Sequence, residues 1–165
     1  MNNITGRVWA FGDDINTDLM YPQICYTLPE NEKPLFAMHA NRPDWASRVL
    51  HGDIILAGKN FGTGSSRPAA DNIKNLGIAC VLAESINGLF LRNSVNSGFL
   101  ALTVPGITGF AEEGDTVTVN LSSNTVEGKH GQIKYKPLPE FLMEIIENGG
   151  IINILKNKGL LGRPL

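Results

Sequence analysis

The sequence predicts an α/β fold in which a mostly parallel sheet is flanked by helices and is followed by antiparallel strands. Up to Pro105, short apolar runs alternate with helical patterns, a rhythm that is typical of β-α-β units. Beyond Pro105, polar and apolar residues alternate around turn-rich breaks, as in antiparallel strands with one face in water. The chain has 165 residues, of which 42% are hydrophobic, so it is long enough for one ordinary core. We therefore expect a single domain over residues 1–165.

Four apolar runs are the predicted strands of the parallel part. Glycines bound the first two runs at both edges, as is common for buried strands. The runs are GRVWAFG at 6–12, GDIILAG at 52–58, IACVLAES at 78–85 and GFLALTV at 98–104. The segment between the first two strands, 17–50, is rich in proline and mixed in polarity. It predicts a long functional loop followed by a short helix.

The later elements follow from turn and cap signals. A helix is expected to begin in SSRPAADNIKNLG at 65–77, with Pro68 in its first turn, where the missing N–H of proline costs nothing. Antiparallel strands are expected in 115–128 and 131–138. The segment LPEFLMEIIENGG predicts a helix near 138–148 that stops at paired glycines. Arg163 and its neighbours are either a frayed end or a partner contact.

Composition excludes several classes of partner. Fourteen Lys and Arg residues against sixteen Asp and Glu residues leave a net charge of -2 without a long basic run, which argues against nucleic-acid binding. No apolar run reaches the roughly 18 residues that cross a bilayer, and the first residues do not resemble a signal peptide. We expect a cytoplasmic protein that does not bind membranes.

Cysteine and histidine usage predicts that the chain binds no metal by itself. The two cysteines, Cys25 and Cys80, are too few for a disulfide framework or for an iron-sulfur cluster, which normally takes three or four thiolates. We expect Cys80 to lie in the core. His39, His51 and His130 are scattered without metal-ligand spacing. Any cluster would come from another chain.

A glycine-rich turn after the second strand predicts an oxyanion site. In AGKNFGTGSSRPAADNI, at 57–73, the glycines leave the backbone amides accessible, and a serine at the helix start can cap free amides. Arg67 adds a planar fork that fits a carboxylate. The turn lacks the lysine of a phosphate loop, and its glycines stop before the helix, unlike a dinucleotide fingerprint. The alternative is a tight turn with an ordinary helix cap.

Three segments resemble the swivel domain of the aconitase superfamily. GKNFGTGSSR at 58–67 resembles its G-x-N-F-G-x-G-S-S-R signature, VWAFGDDINTDLMYP at 8–22 its opening strand and D-D-x-x-T-D loop, and LFLRNSVNSGFLAL at 89–102 its Y-R-N-x-x-N-x-G segment. Order and spacing match over roughly residues 6–105. The resemblance implies a three-layer β/β/α swivelling domain, which occurs as a separate small subunit in isopropylmalate dehydratase and homoaconitase.

The resemblance also implies site residues and a partner. Ser65 falls on the catalytic base, Arg67 on the arginine that binds a substrate carboxylate, and Asp18 on the aspartate that pairs with a histidine of the cluster-bearing part. Ser66 and Gly64 would add hydrogen bonds to substrate. A large partner subunit would carry the 4Fe-4S cluster, so the chain is expected to be inactive alone as a hydro-lyase on a hydroxy dicarboxylic acid. Isolated, it is a candidate homo-oligomer.

The sequence departs from the family pattern at two places that bear on the site. Pro68 replaces an acid that would balance Arg67. The loop that selects the substrate side group aligns with CYTL at 25–28, so that Cys25, Tyr26 and Thr27 are candidate substrate contacts without an arginine. Such a loop favours an apolar substituent over a third carboxylate, because an unpaired buried carboxylate is costly.

The lack of an arginine in this loop ranks the candidate substrates. Isopropylmalate, as in leucine biosynthesis, or a small methyl-substituted malate such as dimethylmalate or citramalate ranks above homocitrate. A non-catalytic carboxylate-binding paralogue is the alternative from another class.

Two further groups of polar residues could support the serine turn. Asp13 and Asp14 are expected to accept hydrogen bonds from backbone, as adjacent carboxylates in turns often do. Arg92, Asn93 and Asn96 lie on an expected helix, where they either brace the serine turn or form a solvated face.

Overall fold

A computed structural model describes residues 3–161 and contains one seven-stranded mixed sheet. The strands are β1 (Ile4–Ala10), β2 (Ile54–Ala57), β3 (Cys80–Ala83), β4 (Leu100–Thr103), β5 (Thr116–Asn120), β6 (Thr125–Gly128) and β7 (Gly131–Lys134). Their order is β4-β3-β2-β1-β5-β6-β7. Strands β1 to β4 pair in parallel, and β5 to β7 continue from β1 in antiparallel. The predicted α/β class, with its parallel and antiparallel parts, is confirmed.

The helices lie mainly in the connections between the parallel strands and after the sheet. They are α1 (Thr17–Met20), α2 (Trp45–Arg48), α3 (Ala69–Leu76), α4 (Gly88–Asn96), α5 (Glu140–Glu147) and α6 (Ile151–Asn157). Single 3₁₀ turns cover Gln23–Tyr26, Lys33–Phe36 and Ile107–Gly109. Helix α3 ends at Gly77, whose φ of 109° is a left-handed conformation that glycine adopts at little cost. No helix within residues 3–161 is long and apolar enough to cross a membrane.

The two faces of the central strands bury separate cores. Alternate residues of β2 and β3 point to opposite faces because the side-chain period of a strand is two. Ile55 and Val81 pack on one face with α3, through residues such as Ile73. Leu56 and Leu82 pack on the other face with side chains of β5, β6 and α5. Helix α3 therefore packs on one face, whereas the antiparallel strands together with α5 pack on the other, which fits the expected β/β/α layering.

The structure departs from the expectations at several boundaries. The residue before α3 is Pro68, and no side chain makes a capping hydrogen bond at this end, so the alternative in which Ser65 or Ser66 is an ordinary helix cap does not hold. The turn holds both serines outside the helix. Helix α6 was not expected, because the paired glycines were interpreted only as the end of the helix near 138–148. The proposed contact at Arg163 lies outside the described residues.

Candidate functional site

Two loops meet at the carboxyl ends of β1 and β2, the end of a parallel sheet where ligand crevices form. The backbone N–H of Gly62 donates to the carbonyl of Ile15 at 2.7 Å, and the N–H of Thr17 donates to the carbonyl of Thr63 at 2.8 Å. The glycine turn is thus joined to the loop after β1 as though each were a short strand. This pairing brings sequence segments that are almost fifty residues apart to one place.

Glycine is required at two positions of the turn. Gly62 has a φ of 79°, and a Cβ there would lie 2.3 Å from the Cβ of Phe90 on α4. Gly64 has a φ of 103°, and a Cβ there would lie 3.1 Å from the hydroxyl of Thr17. Both left-handed conformations and both close approaches exclude a larger residue without strain. The glycines therefore allow the turn to pack between α4 and the β1 loop.

Ser65, Arg67 and Asp18 meet where the two loops join, and the surface around these three side chains is called the crevice below. The Nε of Arg67 lies 2.7 Å from Oδ1 of Asp18 and donates to Oγ of Ser65 at 3.2 Å. The hydroxyl of Ser65 donates to Oδ1 of Asp18 at 3.4 Å. Ser65 is exposed, the Asp18 side chain is 57% exposed, and the Arg67 side chain is 17% exposed. Ser65 and Asp18 are therefore accessible to a ligand, whereas Arg67 is largely covered by the protein.

Arg67 is held in place from behind. Its Nη1 donates to the carbonyl of Tyr21 at 3.0 Å, and its guanidinium lies 5.8 Å from the ring centre of Tyr26. A cation fixed beside a hydroxyl favours the deprotonated form of that hydroxyl and attracts carboxylates. Asp18 balances the charge of Arg67 in space. The missing acid at Pro68 therefore leaves no uncompensated cation in the crevice.

Ser66 and Gly64 face the same crevice with polar groups. Both residues are exposed. The side-chain amide of Asn93 donates to Oγ of Ser66 at 3.4 Å, so the interpretation of Asn93 as a brace for the serine turn is confirmed. Arg92 and Asn96 lie exposed on the same helix, as the interpretation of a solvated face described.

The loop 25–28 places only some of its expected side chains near Arg67. Tyr26 is 55% exposed, packs edge-on against Tyr21 and faces the Arg67 guanidinium. Thr27 is exposed and donates its hydroxyl to a backbone carbonyl of the same turn. Cys25 is fully buried, with its thiol 3.5 Å from the carbonyl of Lys33. Burial raises the pKa of the Cys25 thiol, although the nearby Lys33 and Arg67 oppose that shift.

Ile24 is an exposed apolar residue of the same loop that the sequence did not single out. Its side chain is 47% exposed, which is unusual for isoleucine. In a strand or an α-helix, the periodic pattern of apolar residues predicts which side chains are exposed. Ile24 lies in a 3₁₀ turn, whose exposure follows neither period, so the sequence did not predict its exposure. Over residues 23–28 the exposed residues are therefore Gln23, Ile24, Tyr26 and Thr27.

The carboxylates before α1 support the turns around the crevice. Oδ1 of Asp13 accepts the backbone N–H of Lys59 at 2.7 Å, as expected. Oδ1 of Asp14 instead accepts from the side-chain amide of Asn60 at 2.8 Å, so the expected backbone bond is replaced by a side-chain bond. Both bonds join the loop after β1 to the end of β2.

The residues of this chain do not fit an iron-sulfur cluster of its own. Cys80 lies in the core, as predicted, and burial raises its pKa to about 12, so it stays a neutral thiol. Cys25 is buried in the other core cluster. Among the described residues, no group of three or more His, Cys, Asp or Glu side chains is arranged to hold a metal ion.

Comparison with known proteins assigns the chain to a family. The model of the aconitase C-terminal domain matches residues 12–106, which include both loops and α4. The chain belongs to the aconitase C-terminal domain family.

Relatives within the aconitase C-terminal domain family match the chain almost end to end. The isopropylmalate/citramalate isomerase small subunit of Methanocaldococcus jannaschii is 44% identical over 160 residues, 94% of this chain and 95% of that protein. The 3-isopropylmalate dehydratase small subunit of Halothermothrix orenii is 41% identical and covers 93% of this chain and 95% of its own. The methanogen homoaconitase small subunit of Methanothermobacter thermautotrophicus is 38% identical, over 91% and 89%.

A solved structure agrees with the family assignment. The crystal structure of 3-isopropylmalate dehydratase from Methanocaldococcus jannaschii superimposes with a TM-score of 0.89 and 33% sequence identity, covering 96% of each chain. The chain therefore has the fold of an aconitase C-terminal domain over nearly its whole length.

Proposed function

We propose that this chain is the small subunit of a two-subunit hydro-lyase of the 3-isopropylmalate dehydratase type, folded as one domain. Relatives that match more than nine-tenths of the chain are named small subunits of 3-isopropylmalate dehydratase or of an isopropylmalate/citramalate isomerase. The observation that carries the proposal is the crevice in which Ser65, Arg67 and Asp18 meet. A module that only bound carboxylates would need Arg67 but neither the serine nor the aspartate.

In this function Ser65 is the base. Its Oγ, as an alkoxide, takes the proton from the substrate carbon next to a carboxylate. The serine alkoxide is a strong base that needs stabilisation, and the 3.2 Å hydrogen bond from Arg67 supports this role. The exposure of Ser65 supports it as well, because a buried hydroxyl would not reach a substrate.

Arg67 binds a substrate carboxylate, with Ser66 and the backbone of Gly64 as further donors. The guanidinium is fixed by Tyr21 and Asp18, so little side-chain entropy is lost when it binds an anion. Asp18 is exposed beside Arg67 and pairs with a basic group of the partner when the crevice closes. The exposed edge of the crevice is thus completed by a second protein.

The partner is a large subunit that carries the 4Fe-4S cluster of the assembly. Cys25 and Cys80 are buried in separate core clusters, and no group within residues 3–161 is arranged to hold a metal ion, so the ligands of the cluster would come from the partner. The chain by itself is inactive in this proposal. The assembly, a heterodimer or a larger complex, works in the cytoplasm.

The substrate is a hydroxy dicarboxylic acid with an apolar or uncharged substituent. The exposed side chains of the 25–28 loop and its neighbour Ile24 carry no positive charge. A third carboxylate held there would be desolvated without a partner. We rank 3-isopropylmalate first, which places the enzyme in leucine biosynthesis, followed by dimethylmalate and citramalate, with homocitrate last.

The test is reconstitution with an anaerobically prepared large subunit. With 3-isopropylmalate as substrate and the absorbance of the unsaturated acid as signal, Ser65→Ala is expected to lower kcat by about 10²- to 10⁴-fold, the range for loss of a general base. Ser47→Ala, which changes an exposed serine on α2, is the matched control and retains full turnover. Turnover by Ser65→Ala at the rate of the Ser47→Ala protein would show that Ser65 is not the base.

A further inference from the structure

Thr17 is a buried polar residue between the first strand and the exposed Asp18. The residue is 3% exposed, although it begins the short helix α1 next to an exposed aspartate. It has two donors, and both point to the serine turn. Its backbone N–H donates to the carbonyl of Thr63, and its hydroxyl donates to the carbonyl of Ser65, each at 2.8 Å.

The two carbonyls that Thr17 binds lie on either side of Gly64. The glycine has a φ of 103°, and the hydroxyl of Thr17 occupies the space beside it, at 3.1 Å from an ideal Cβ. Thr17 therefore holds the backbone of the turn immediately before and at Ser65. The lack of a side chain at Gly64 leaves room for the Thr17 hydroxyl beside the turn.

The hydroxyl of Thr17 has no role in its own helix. Asn16 caps α1 through its side chain, which accepts from the backbone N–H of Leu19 at 3.0 Å. The carbonyl of Thr17, not its hydroxyl, accepts the closing bond from Tyr21. The hydroxyl is thus used only between the two loops, to fix the distance between Ser65 and the residue that follows Thr17.

The geometry points to Thr17 as a positioning residue for the base and its acidic neighbour, an inference that rests on the proposed function. A closed ring runs from the Thr17 hydroxyl to the Ser65 carbonyl, through the Ser65 side chain to Asp18, and back along the backbone. Thr17 binds the serine turn through its hydroxyl and is followed directly by Asp18 in the chain. It therefore holds Oγ of Ser65 and Oδ1 of Asp18 at their 3.4 Å separation. Loss of the Thr17 hydroxyl lets Ser65 drift.

The test compares Thr17→Val, which removes the hydroxyl but keeps the shape, with Thr17→Ser, which keeps the hydroxyl. In the reconstituted enzyme Thr17→Val is expected to lower kcat by about 10- to 100-fold with KM changed less than about threefold, since small misplacements of reacting groups have effects of this size. Thr17→Ser is expected to stay within about threefold of the parent in kcat.

Thr125→Val is the matched control. Thr125 is also 3% exposed, and its hydroxyl also makes a hydrogen bond, at 2.7 Å to Ser123, but it lies on β6. It is expected to lose stability like Thr17→Val while keeping kcat. Equal kcat values for Thr17→Val and Thr125→Val would overturn the inference, as would a Thr17→Ser protein as slow as Thr17→Val.

A second readout does not need turnover. In the isolated chain, amide hydrogen exchange at residue 17 and at Arg67, whose N–H donates to the Ser65 carbonyl at 2.9 Å, is expected to be about tenfold faster in Thr17→Val than in the parent. Unchanged exchange at both amides would show that the turn does not need the hydroxyl. An active Ser65→Ala protein would contradict the proposed function. A slow Ser65→Ala protein together with a fully active Thr17→Val protein would contradict only the role of Thr17.

Discussion

At the scale of single residues, the buried carboxylate of Asp53 accepts hydrogen bonds from three different residues. Its Oδ2 accepts from Nη2 of Arg7 and Nε1 of Trp9, both at 2.7 Å, and from the backbone N–H of Leu50 at 2.9 Å. Burial alone would raise the pKa of Asp53, but the bonds from Arg7, Leu50 and Trp9 outweigh it and hold the pKa below its ordinary value. Asp53 thus fixes β1 to the start of β2.

We expect Asp53→Asn to lower the free energy of unfolding at pH 7 by about 3 kcal/mol, because three donors lose a charged acceptor. A carboxyl whose pKa is lowered by folding adds stability above its unfolded pKa of about 3.9, and this stability disappears as the pH falls through the lower folded value. Urea unfolding between pH 7 and pH 3 checks both effects.

The control for this prediction is Asp44→Asn, at an exposed aspartate before α2. It should leave unfolding at pH 7 nearly unchanged. The difference in the free energy of unfolding between the parent protein and Asp53→Asn should become smaller as the pH falls below about 4. A difference that stays constant down to pH 3 would contradict the assigned role of the ionised carboxylate.

Sequence motifs predicted which residues meet but not how each is buried. Ser65 and Asp18 were predicted because their motifs resemble those of a known family, whereas Arg67 was also expected from its chemistry, since its planar fork fits a carboxylate. The thiol of Cys25 contacts the carbonyl of Lys33, 8 positions away in the chain, and the hydroxyl of Thr17 binds the carbonyl of Ser65, 48 positions away. Residue type alone carries no signal for such contacts, although Thr17 lies inside a quoted motif.

At the scale of elements, the turn between β2 and α3 packs directly on α4 through Gly62. A methyl group at Gly62 would meet the side chain of Phe90 at 2.3 Å, and the φ of 79° disfavours any other residue. We expect Gly62→Ala to lower the free energy of unfolding by about 2–4 kcal/mol, from overpacking and backbone strain together. Chemical denaturation of the isolated chain measures this.

Gly88→Ala is the matched control for Gly62. Gly88 begins α4, has nothing within 4 Å of an ideal Cβ and is exposed, so alanine there should be neutral or slightly stabilising. Equal stability of the two alanine variants would mean that the turn relaxes away from Phe90 at no cost.

The elements were predictable in type and order but less so at their ends. All four parallel strands lie within the apolar runs or within two residues of them, since burial on both faces produces continuous apolar sequence. Helix α6 was missed because Gly149 and Gly150, both with positive φ, resemble a helix stop. They are a tight link instead, packed against the turn after α4, where a Cβ at Gly98 would lie 2.3 Å from Gly149.

At the scale of the whole molecule, the crevice is open, and the loop beside it is expected to select the substrate. We expect the assembled enzyme to show a kcat/KM for 3-isopropylmalate at least about tenfold above that for homocitrate, because a third carboxylate lacks a cation in this loop. Thr27→Arg, which places a guanidinium in the exposed loop, should narrow this ratio. A panel that also contains citramalate and dimethylmalate measures it.

The parent enzyme acting faster on homocitrate than on 3-isopropylmalate would contradict the role given to the loop. The exposed Lys136 lies in the segment after β7, so Lys136→Arg adds a guanidinium elsewhere on the molecule and keeps its charge. It should leave the substrate ratio unchanged, which separates a local effect of Thr27→Arg from a general effect of arginine.

The first strand of the chain occupies the middle of the sheet, between β2 and β5. Thr5 on β1 bonds to Thr118 on β5, 113 residues further along. During synthesis on the ribosome, β1 therefore emerges long before the neighbour on its far side exists. Such distant pairing slows folding. Truncated products that end before β5, at Thr116–Asn120, would therefore leave one edge of β1 unpaired, and unpaired strand edges promote aggregation.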